Sequence, residues 1–200
     1  GTALSQAYID QVGKLAKARG LKLHLDGARV FNAAAASTST AKELASPFDS
    51  VTFCLSKGLS APVGSVLCGS RTFIAKAHRL RKQLGGGMRQ AGVLAAAGII
   101  SLEKMIDRLG EDHARARKLA GELARVSGLV IDEGSPHTNM IFMNLADEIP
   151  ESAQDIASQL EGYGVRVSAT GARRFRLVTH YWIDDQDVEE TAAAFREVLA

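Results

Sequence analysis

Short apolar strand-like runs alternate with helical segments, and this alternation limits the fold of the chain more than any other feature. Apolar residues at helical spacing predict a helix over residues 5–19, and strict alternation predicts a strand over residues 21–25. Apolar runs at 51–55 and 64–68 predict two further strands, and residues 71–84 have the pattern of a basic helix. Strands that are separated by helices favour an α/β fold with a mostly parallel sheet.

The pattern changes toward the carboxyl end. Residues 88–109 and 113–126 have the composition and spacing of helices. Beyond Gly128 the predicted order is strand, helix, strand, strand, helix, over residues 139–145, 153–160, 165–168, 175–179 and 188–199. We therefore predict two domains, residues 1–110 in an α/β sheet and residues 111–200 as a smaller α+β unit.

Charge and composition exclude several classes of function. The 24 basic and 22 acidic residues give a net charge of +2, which supports neither a nucleic-acid partner nor a membrane partner. The five histidines show no metal-ligand spacing, so no metal site is expected. Cys54 and Cys68 lie in apolar runs and are expected to be buried thiols rather than a disulfide framework. No signal segment opens the chain, so a cytoplasmic location is expected.

Lys57 follows an apolar run and precedes small residues that leave room for a planar ligand. A lysine at the end of a buried strand is costly unless its amine is neutral, paired or used covalently. Burial of a lysine favours the neutral amine, which is a nucleophile for carbonyl carbon. From this segment alone, a lysine that ends a strand and points into water is an equally good interpretation.

Asp26 ends the first predicted strand, 31 residues before Lys57. Sites in α/β sheets form beyond the carboxyl ends of strands, so the two side chains are expected at one edge. A lysine amine for a Schiff base and a carboxylate for a pyridine nitrogen are the groups that pyridoxal phosphate requires. An Asp-Gly turn after a strand is common, so the alternative for Asp26 is a turn residue.

Four segments of the chain resemble motifs of the L-threonine aldolases, in the order that this family has them. They are Leu-His-Leu-Asp-Gly-Ala-Arg at 23–29, the lysine segment at 54–65, Leu-Gly-Gly-Gly-Met-Arg-Gln at 84–90 and Arg-Leu-Val-Thr-His at 176–180. The resemblance is to the low-specificity or L-allo-threonine aldolase type among fold-type I pyridoxal-phosphate enzymes. It implies the large domain of the aspartate aminotransferase-like fold, followed by a small α+β domain.

The resemblance also implies roles for individual residues toward pyridoxal phosphate. Lys57 would carry the cofactor, and Asp26 would pair with the pyridine nitrogen. Arg29 would lie near the phenolic oxygen, Ser56 would bind the phosphate, and Arg89 would supply a fixed cation for the phosphate or for a neighbouring subunit's site. The alternatives are surface arginines at positions 29 and 89 and a turn-capping serine at position 56.

Arg176 is the residue that the resemblance assigns to the substrate carboxylate. A guanidinium group binds a carboxylate through two parallel hydrogen bonds, which fixes its orientation. Arg176 alternates with Phe175 and Leu177, so it is expected to point away from the apolar face. The alternative is an exposed arginine on an edge strand.

The front part of the family's sequence, with its glycine-rich phosphate loop and the ring that stacks on the cofactor, is not found here. The chain is therefore expected to correspond to the carboxyl-terminal part of such an enzyme. The resemblance further implies a homo-oligomer, a dimer or a tetramer, because the family builds its sites at subunit contacts.

The predicted activity is cleavage of L-threonine or L-allo-threonine into glycine and an aldehyde. A fold does not determine its reaction, so transamination, β-elimination and racemisation of amino acids stay open as alternatives. A truncated, non-catalytic subunit is the alternative outside enzymology.

Overall fold

The computed structural model describes all 200 residues and divides them into two compact units. The amino-terminal unit is Leu4–Leu109, and the carboxyl-terminal unit is Gly110–Ala200 together with Gly1–Ala3. None of the helices has the length and apolar character needed to span a membrane. We propose that residues 1–110 and residues 111–200 are the two domains of the chain, as the sequence predicts.

The amino-terminal unit contains three strands and several helices. The strands are β1 (His24–Asp26), β2 (Ser50–Cys54) and β3 (Ser65–Gly69). The helices are α1 (Gln6–Ala18), α2 (Val30–Ala35), α3 (Ala41–Ala45), α4 (Arg71–Gln83), α5 (Gly92–Ile100) and a π-helix (Ser101–Met105).

The sheet of this unit has the order β1-β2-β3. Strands β1 and β2 are parallel, with His24 opposite Ser50 and Asp26 opposite Thr52. Strand β3 is antiparallel to β2, so the predicted parallel arrangement holds for only one of the two strand pairs in this chain. The ten residues between β2 and β3 are too few for the crossover that a parallel connection requires.

Strand β1 is shorter than the alternation of residues 21–25 predicts. The backbone of Leu23 donates to the carboxylate of Asp49 at 2.9 Å, and its carbonyl accepts from the Asp49 N–H at 2.9 Å. The segment before His24 is therefore held by one aspartate rather than by a strand ladder.

The helix predicted over residues 88–109 is interrupted. Helix α5 begins only at Gly92, because Gln90 adopts a left-handed backbone with φ of 51°. The hydroxyl of Ser101 donates to the carbonyl of Ala97 at 3.0 Å, where the α-helix gives way to the π-helix. Hydrogen bonding of a serine to the preceding turn competes with the regular ladder and bends helices.

The core of the amino-terminal unit is small. Phe31 of α2 packs edge-on against Phe53 of β2, with ring centroids 5.2 Å apart. Ile9, Val30 and Leu44 are the buried members of this cluster.

The prediction that both cysteines are buried is wrong. Cys54 is half-buried and Cys68 is exposed. Cys68 lies on β3, which is the last strand of the sheet and is exposed at four of its five positions. An apolar run therefore does not make a buried strand at this edge.

The carboxyl-terminal unit contains a four-stranded antiparallel sheet with the order β4-β5-β7-β6. Its strands are β4 (Leu129–Ile131), β5 (Met140–Leu145), β6 (Ser168–Ala169) and β7 (Arg174–Val178). Its helices are α6 (Leu109–Leu123), α7 (Ala153–Glu161) and α8 (Asp185–Val198), and only the first residue of α6, Leu109, belongs to the amino-terminal unit. Phe175 of β7 meets Phe195 of α8 edge-on, with centroids 5.8 Å apart, in a core that all three helices line.

Candidate active site

Asp26 lies at the carboxyl edge of the sheet in the amino-terminal unit. It is the last residue of β1 and is exposed. The Gly27 N–H donates to the carbonyl of Thr52 at 2.8 Å, and the Cys54 N–H donates to the carbonyl of Ala28 at 3.3 Å. These bonds tie the turn after β1 to the end of β2, so Asp26 and the loop that carries Lys57 leave the sheet at the same edge.

The segment from Leu55 to Gly64, here called the lysine loop, is closed by backbone hydrogen bonds. The Leu55 N–H donates to the Gly64 carbonyl at 3.0 Å, and the Ala61 N–H donates to the Leu55 carbonyl at 3.0 Å. The Ser60 N–H donates to the carbonyl of Lys57 at 2.9 Å, and Ser60 has a left-handed φ of 58°. Because its main chain is fixed on both sides, Lys57 is held on an ordered turn.

Lys57 is exposed in this structure, where the pattern predicts a lysine at the end of a buried strand. It lies three residues beyond Cys54, the last residue of β2, and the turn directs it off the sheet edge. Gly58 and Leu59, which follow it, are the buried residues of the turn.

Gly58 meets helix α2 at close range. A methyl group added at Gly58 would lie 2.6 Å from Oδ1 of Asn32 and 3.1 Å from Cδ2 of Leu109. Both distances are short for a carbon contact, so this position tolerates no side chain without movement. Asn32 is only 2% exposed.

Arg29 and Ser56 accompany Asp26 and Lys57 at this edge. Arg29 is half-buried and immediately precedes helix α2. Ser56 is exposed, and its backbone N–H donates to the Gly64 carbonyl at 3.3 Å.

Arg89 lies farther along the amino-terminal unit, in the bend before α5. It is exposed and is followed by Gln90 with its left-handed φ. Like Lys57 and Asp26, its side chain makes no ion pair or hydrogen bond in this structure. Lys57, Arg89 and Asp26 are therefore two cations and one carboxylate that no protein group neutralises.

Arg176 belongs to the carboxyl-terminal unit. It is exposed on β7 between the buried Phe175 and Leu177, so the predicted alternation is confirmed. It lines a cleft of about 250 Å³ together with Arg166, His180 and other residues.

Two arginines that are near Arg176 in sequence are engaged elsewhere. Arg173 donates to the carbonyls of Ala146 and Ile149. Arg174 pairs with Asp132. Of the three, Arg176 alone has no protein partner.

A buried polar group anchors the end of β7, three residues beyond Arg176. Nδ2 of Asn139 donates to the Thr179 carbonyl at 2.7 Å, and the Thr179 hydroxyl donates to the Asp112 carbonyl at 2.7 Å. The strand that carries Arg176 is thus tied to β5 and to the start of α6. The predicted strand at 139–145 contains Asn139 and the motif at 176–180 contains Thr179, but neither pattern indicates this anchoring contact.

A cleft of about 630 Å³ in the amino-terminal unit lies at the opposite edge of the sheet. Helix α1, Leu23 and the turn of Pro47 to Asp49 line it, and none of the predicted site residues does. Nowhere do three or more histidine, cysteine or acidic side chains gather in a way that could hold a metal ion.

Known proteins resemble this chain over its full length. The low-specificity L-threonine aldolase 1 of Arabidopsis thaliana is 43% identical over 199 residues, all of this chain and 56% of that protein. The low specificity L-threonine aldolase of Escherichia coli K12 is 40% identical over 200 residues and 58% of its length. The chain spans somewhat more than half the length of the curated relatives it matches.

Solved structures share the fold. One from Exiguobacterium sp. 255-15 superimposes with a TM-score of 0.83 at 24% identity, covering 99% of this chain and 58% of that one. Threonine aldolase from Leishmania major superimposes with a TM-score of 0.75 at 17% identity, covering 98% and 57%. The fold is that of the pyridoxal-phosphate-dependent transferases, as predicted.

The family profile described as beta-eliminating lyase matches residues 1–148. The chain belongs to the beta-eliminating lyase family. The predicted resemblance to threonine aldolases is confirmed by the relatives, and the match to somewhat more than half of their length agrees with the prediction that the chain corresponds to the carboxyl-terminal part of such an enzyme.

Members of this family use pyridoxal phosphate, and the residues at the sheet edge fit it. Lys57 offers an amine on an ordered turn, and Asp26 offers a carboxylate on the adjacent parallel strand. Both groups are exposed and have no competing protein partner. The donor set is therefore the one that an aldehyde on a basic pyridine ring requires.

Proposed function

We propose that the protein is a pyridoxal-phosphate-dependent aldolase that cleaves L-threonine and L-allo-threonine to glycine and acetaldehyde. The observation that carries this proposal is the similarity, over the whole chain, to low-specificity L-threonine aldolases at 40–43% identity. An amine and a carboxylate that leave the sheet at the same edge support it.

In this proposal the residues of the amino-terminal unit hold the cofactor. Lys57 would attach it through its amine, and Asp26 would keep the pyridine nitrogen protonated. Arg29 would stabilise negative charge on the phenolic oxygen. Ser56 and Arg89 bind the phosphate, which an exposed hydroxyl and an exposed guanidinium without protein partners are able to do. When bound, the cofactor supplies an electron sink for the pair released from the Cα–Cβ bond.

Arg176 binds the substrate carboxylate in the proposed reaction. Its guanidinium faces a cleft in the carboxyl-terminal unit and has no protein partner, so both of its terminal nitrogens are available. Two parallel hydrogen bonds to the carboxylate would fix the orientation of the amino acid. This orientation would select which bond to Cα is broken.

The decisive experiment measures aldehyde release from L-threonine and L-allo-threonine by the purified protein and by Lys57→Ala. We expect the substitution to abolish turnover and to remove the borohydride-reducible visible absorbance. Lys42→Ala, which changes an exposed lysine of α3, serves as the matched control and is expected to behave as wild type. Wild-type turnover in Lys57→Ala would refute the proposal, and a keto acid in place of glycine would favour transamination.

We also propose a cytoplasmic homo-oligomer, a dimer or a tetramer. Two free cysteines support a reducing compartment. Exposed apolar side chains around Arg89, among them Leu84, Met88 and Val93, support burial of this region in a larger assembly. Light scattering coupled to size-exclusion chromatography tests the assembly, and a monomer at micromolar concentration would contradict it.

A further inference from the structure

Asn32 is a buried polar residue in an otherwise apolar helix, and no motif accounts for it. Helix α2 has the sequence Val-Phe-Asn-Ala-Ala-Ala, and its asparagine is 2% exposed. Burying an amide costs free energy that an alanine at the same position would not require. A specific contact must therefore explain the choice of residue.

The side chain of Asn32 lies against the lysine loop. A methyl group placed on Gly58 would lie 2.6 Å from Oδ1 and 3.3 Å from Nδ2 of Asn32. The amide group therefore lies close to the backbone of the residue that directly follows Lys57. The hydrogen bonds from Ser60 to Lys57 and from Ala61 to Leu55 leave the loop little freedom to move independently of this contact.

Helix α2 is also rigidly joined to Asp26 and Arg29. The helix begins at Val30, one residue after Arg29, and the Val30 N–H donates to the Gly27 carbonyl at 2.8 Å. The edge-on contact between Phe31 and Phe53 fixes α2 against β2. A group on α2 therefore has a fixed position relative to the turn that carries Asp26 and Arg29.

We infer that Asn32 is a positioning residue that sets the place of Lys57 relative to Asp26 and Arg29. The inference rests on the proposed function, since it concerns how Lys57 is presented to pyridoxal phosphate. Asn32 acts through Gly58 and needs no contact of its own with the cofactor. Its amide determines how closely the lysine loop approaches helix α2.

A double-mutant cycle tests the contact. Gly58→Ala, Asn32→Ala and the double variant are made in the full protein, and the dissociation constant for pyridoxal phosphate is measured by absorbance titration. Each single variant is expected to bind more weakly. The double variant is expected to bind about tenfold more tightly than the product of the two single effects predicts, because the smaller side chain at position 32 makes room for the methyl at position 58. Additive effects would overturn the inference.

A second readout does not depend on the cofactor. Reductive methylation of Lys57 in cofactor-free protein, measured by peptide mass spectrometry against Lys42, reports how the amine is presented. Asn32→Ala is expected to change the ratio of Lys57 methylation to Lys42 methylation at least about threefold. Asn32→Asp keeps the planar group and is expected to restore the wild-type ratio and the wild-type visible spectrum of the loaded protein. An unchanged ratio in Asn32→Ala, or an Asn32→Asp variant that behaves as Asn32→Ala, would overturn the inference.

Matched controls separate positioning from general loss of structure. Gly121→Ala places a methyl where nothing lies within 4 Å, so combining it with Asn32→Ala is expected to give additive effects. If wild type takes up no cofactor on Lys57, the proposed function fails. The labelling of the cofactor-free variants still decides the role of Asn32 in that case.

Discussion

His113 is a buried imidazole near the start of α6, only 3% exposed. Burial disfavours its charged form and lowers the pKa of His113 below the ordinary value. The negative charge of Asp112 opposes this shift, and the positive charge of Arg117 adds to it. The folded protein therefore binds a proton at His113 less readily than the unfolded chain.

A pH dependence of stability follows. Between the lowered folded pKa and the unfolded pKa of about 6.5, the unfolded chain carries the larger share of protons, so stability rises with pH. The contribution of His113 is fully present above about pH 6.5 and is lost as pH falls toward the folded pKa. We expect the urea concentration at the unfolding midpoint to decrease as the pH is lowered from about 7 to about 5. The His113→Gln variant is expected to show a smaller decrease over the same pH range. If the urea midpoint changes equally with pH in wild type and in His113→Gln, His113 does not contribute to the pH dependence of stability.

Arg176 offers a second residue-level prediction. Lysine keeps the charge but loses the planar fork, so Arg176→Lys is expected to raise KM for L-threonine about tenfold or more. Cofactor binding should remain near wild type, since Arg176 is assigned to the substrate. Arg125→Lys, in an exposed ion pair with Glu122, is the control and should leave KM unchanged. A KM unaffected by Arg176→Lys would place the carboxylate elsewhere.

At the scale of elements, helix α6 contains an exposed glycine that packing does not require. Nothing lies within 4 Å of a methyl added at Gly121, and the helix core face is formed by Ala116, Leu119, Ala120 and Leu123. Gly121→Ala is expected to stabilise the protein by about 0.5–1 kcal/mol, because glycine loses more conformational entropy in a helix. Urea unfolding measures the gain.

Gly128, unlike Gly121, lies where a side chain is expected to destabilise the protein. Its φ is +85°, and an added methyl would lie 2.7 Å from Cδ1 of Ile149. Gly128→Ala is therefore expected to destabilise the protein by about 1 kcal/mol or more, through strain in a left-handed backbone. Equal effects of the two glycine substitutions would show that helix propensity does not govern position 121.

Much of the element order follows from the sequence because caps and periodicity agree. Helix α1 begins after Ser5, whose hydroxyl accepts from the Tyr8 N–H, and it ends before the left-handed Gly20. Strand β4 was missed because three residues, Leu129–Ile131, are too few to show a period. The antiparallel direction of β3 depends on loop length and was not inferred from the apolar pattern.

The sequence predicts part of the candidate site. Asp26 and Lys57 could be placed at one edge because each follows a strand, and parallel strands share an edge. The exposure of Lys57 and the role assigned to Asn32 depend on how a turn packs against a helix. Only the three-dimensional distances at Gly58 reveal that packing.

At the scale of the whole molecule, the two units differ in how completely they are packed. The carboxyl-terminal unit has a core to which helices α6, α7 and α8 and the central strands contribute. The amino-terminal unit has three buried apolar residues in its cluster and exposes Leu80, Leu84 and Val93. Apolar burial is the main source of stability, so the units are expected to differ in resistance to unfolding.

Hydrogen exchange of the 200-residue chain tests this difference. Amides of β5, which is paired on both sides by β4 and β7, are expected to exchange at least about tenfold more slowly than those of β3, the edge strand. Equal protection of the two strands would show that the amino-terminal unit is as stable as the other.

The five residues of strand β7 alternate between side chains that maintain the core and side chains that face outward. Phe175 and Leu177 point inward and maintain the fold, whereas Arg174 and Arg176 point outward. A mutation that alters what the outward face binds therefore leaves the core intact, and a core mutation leaves the binding face chemically unchanged. Evolution, or a laboratory library restricted to the outward positions, can thus vary this face without first gaining extra stability.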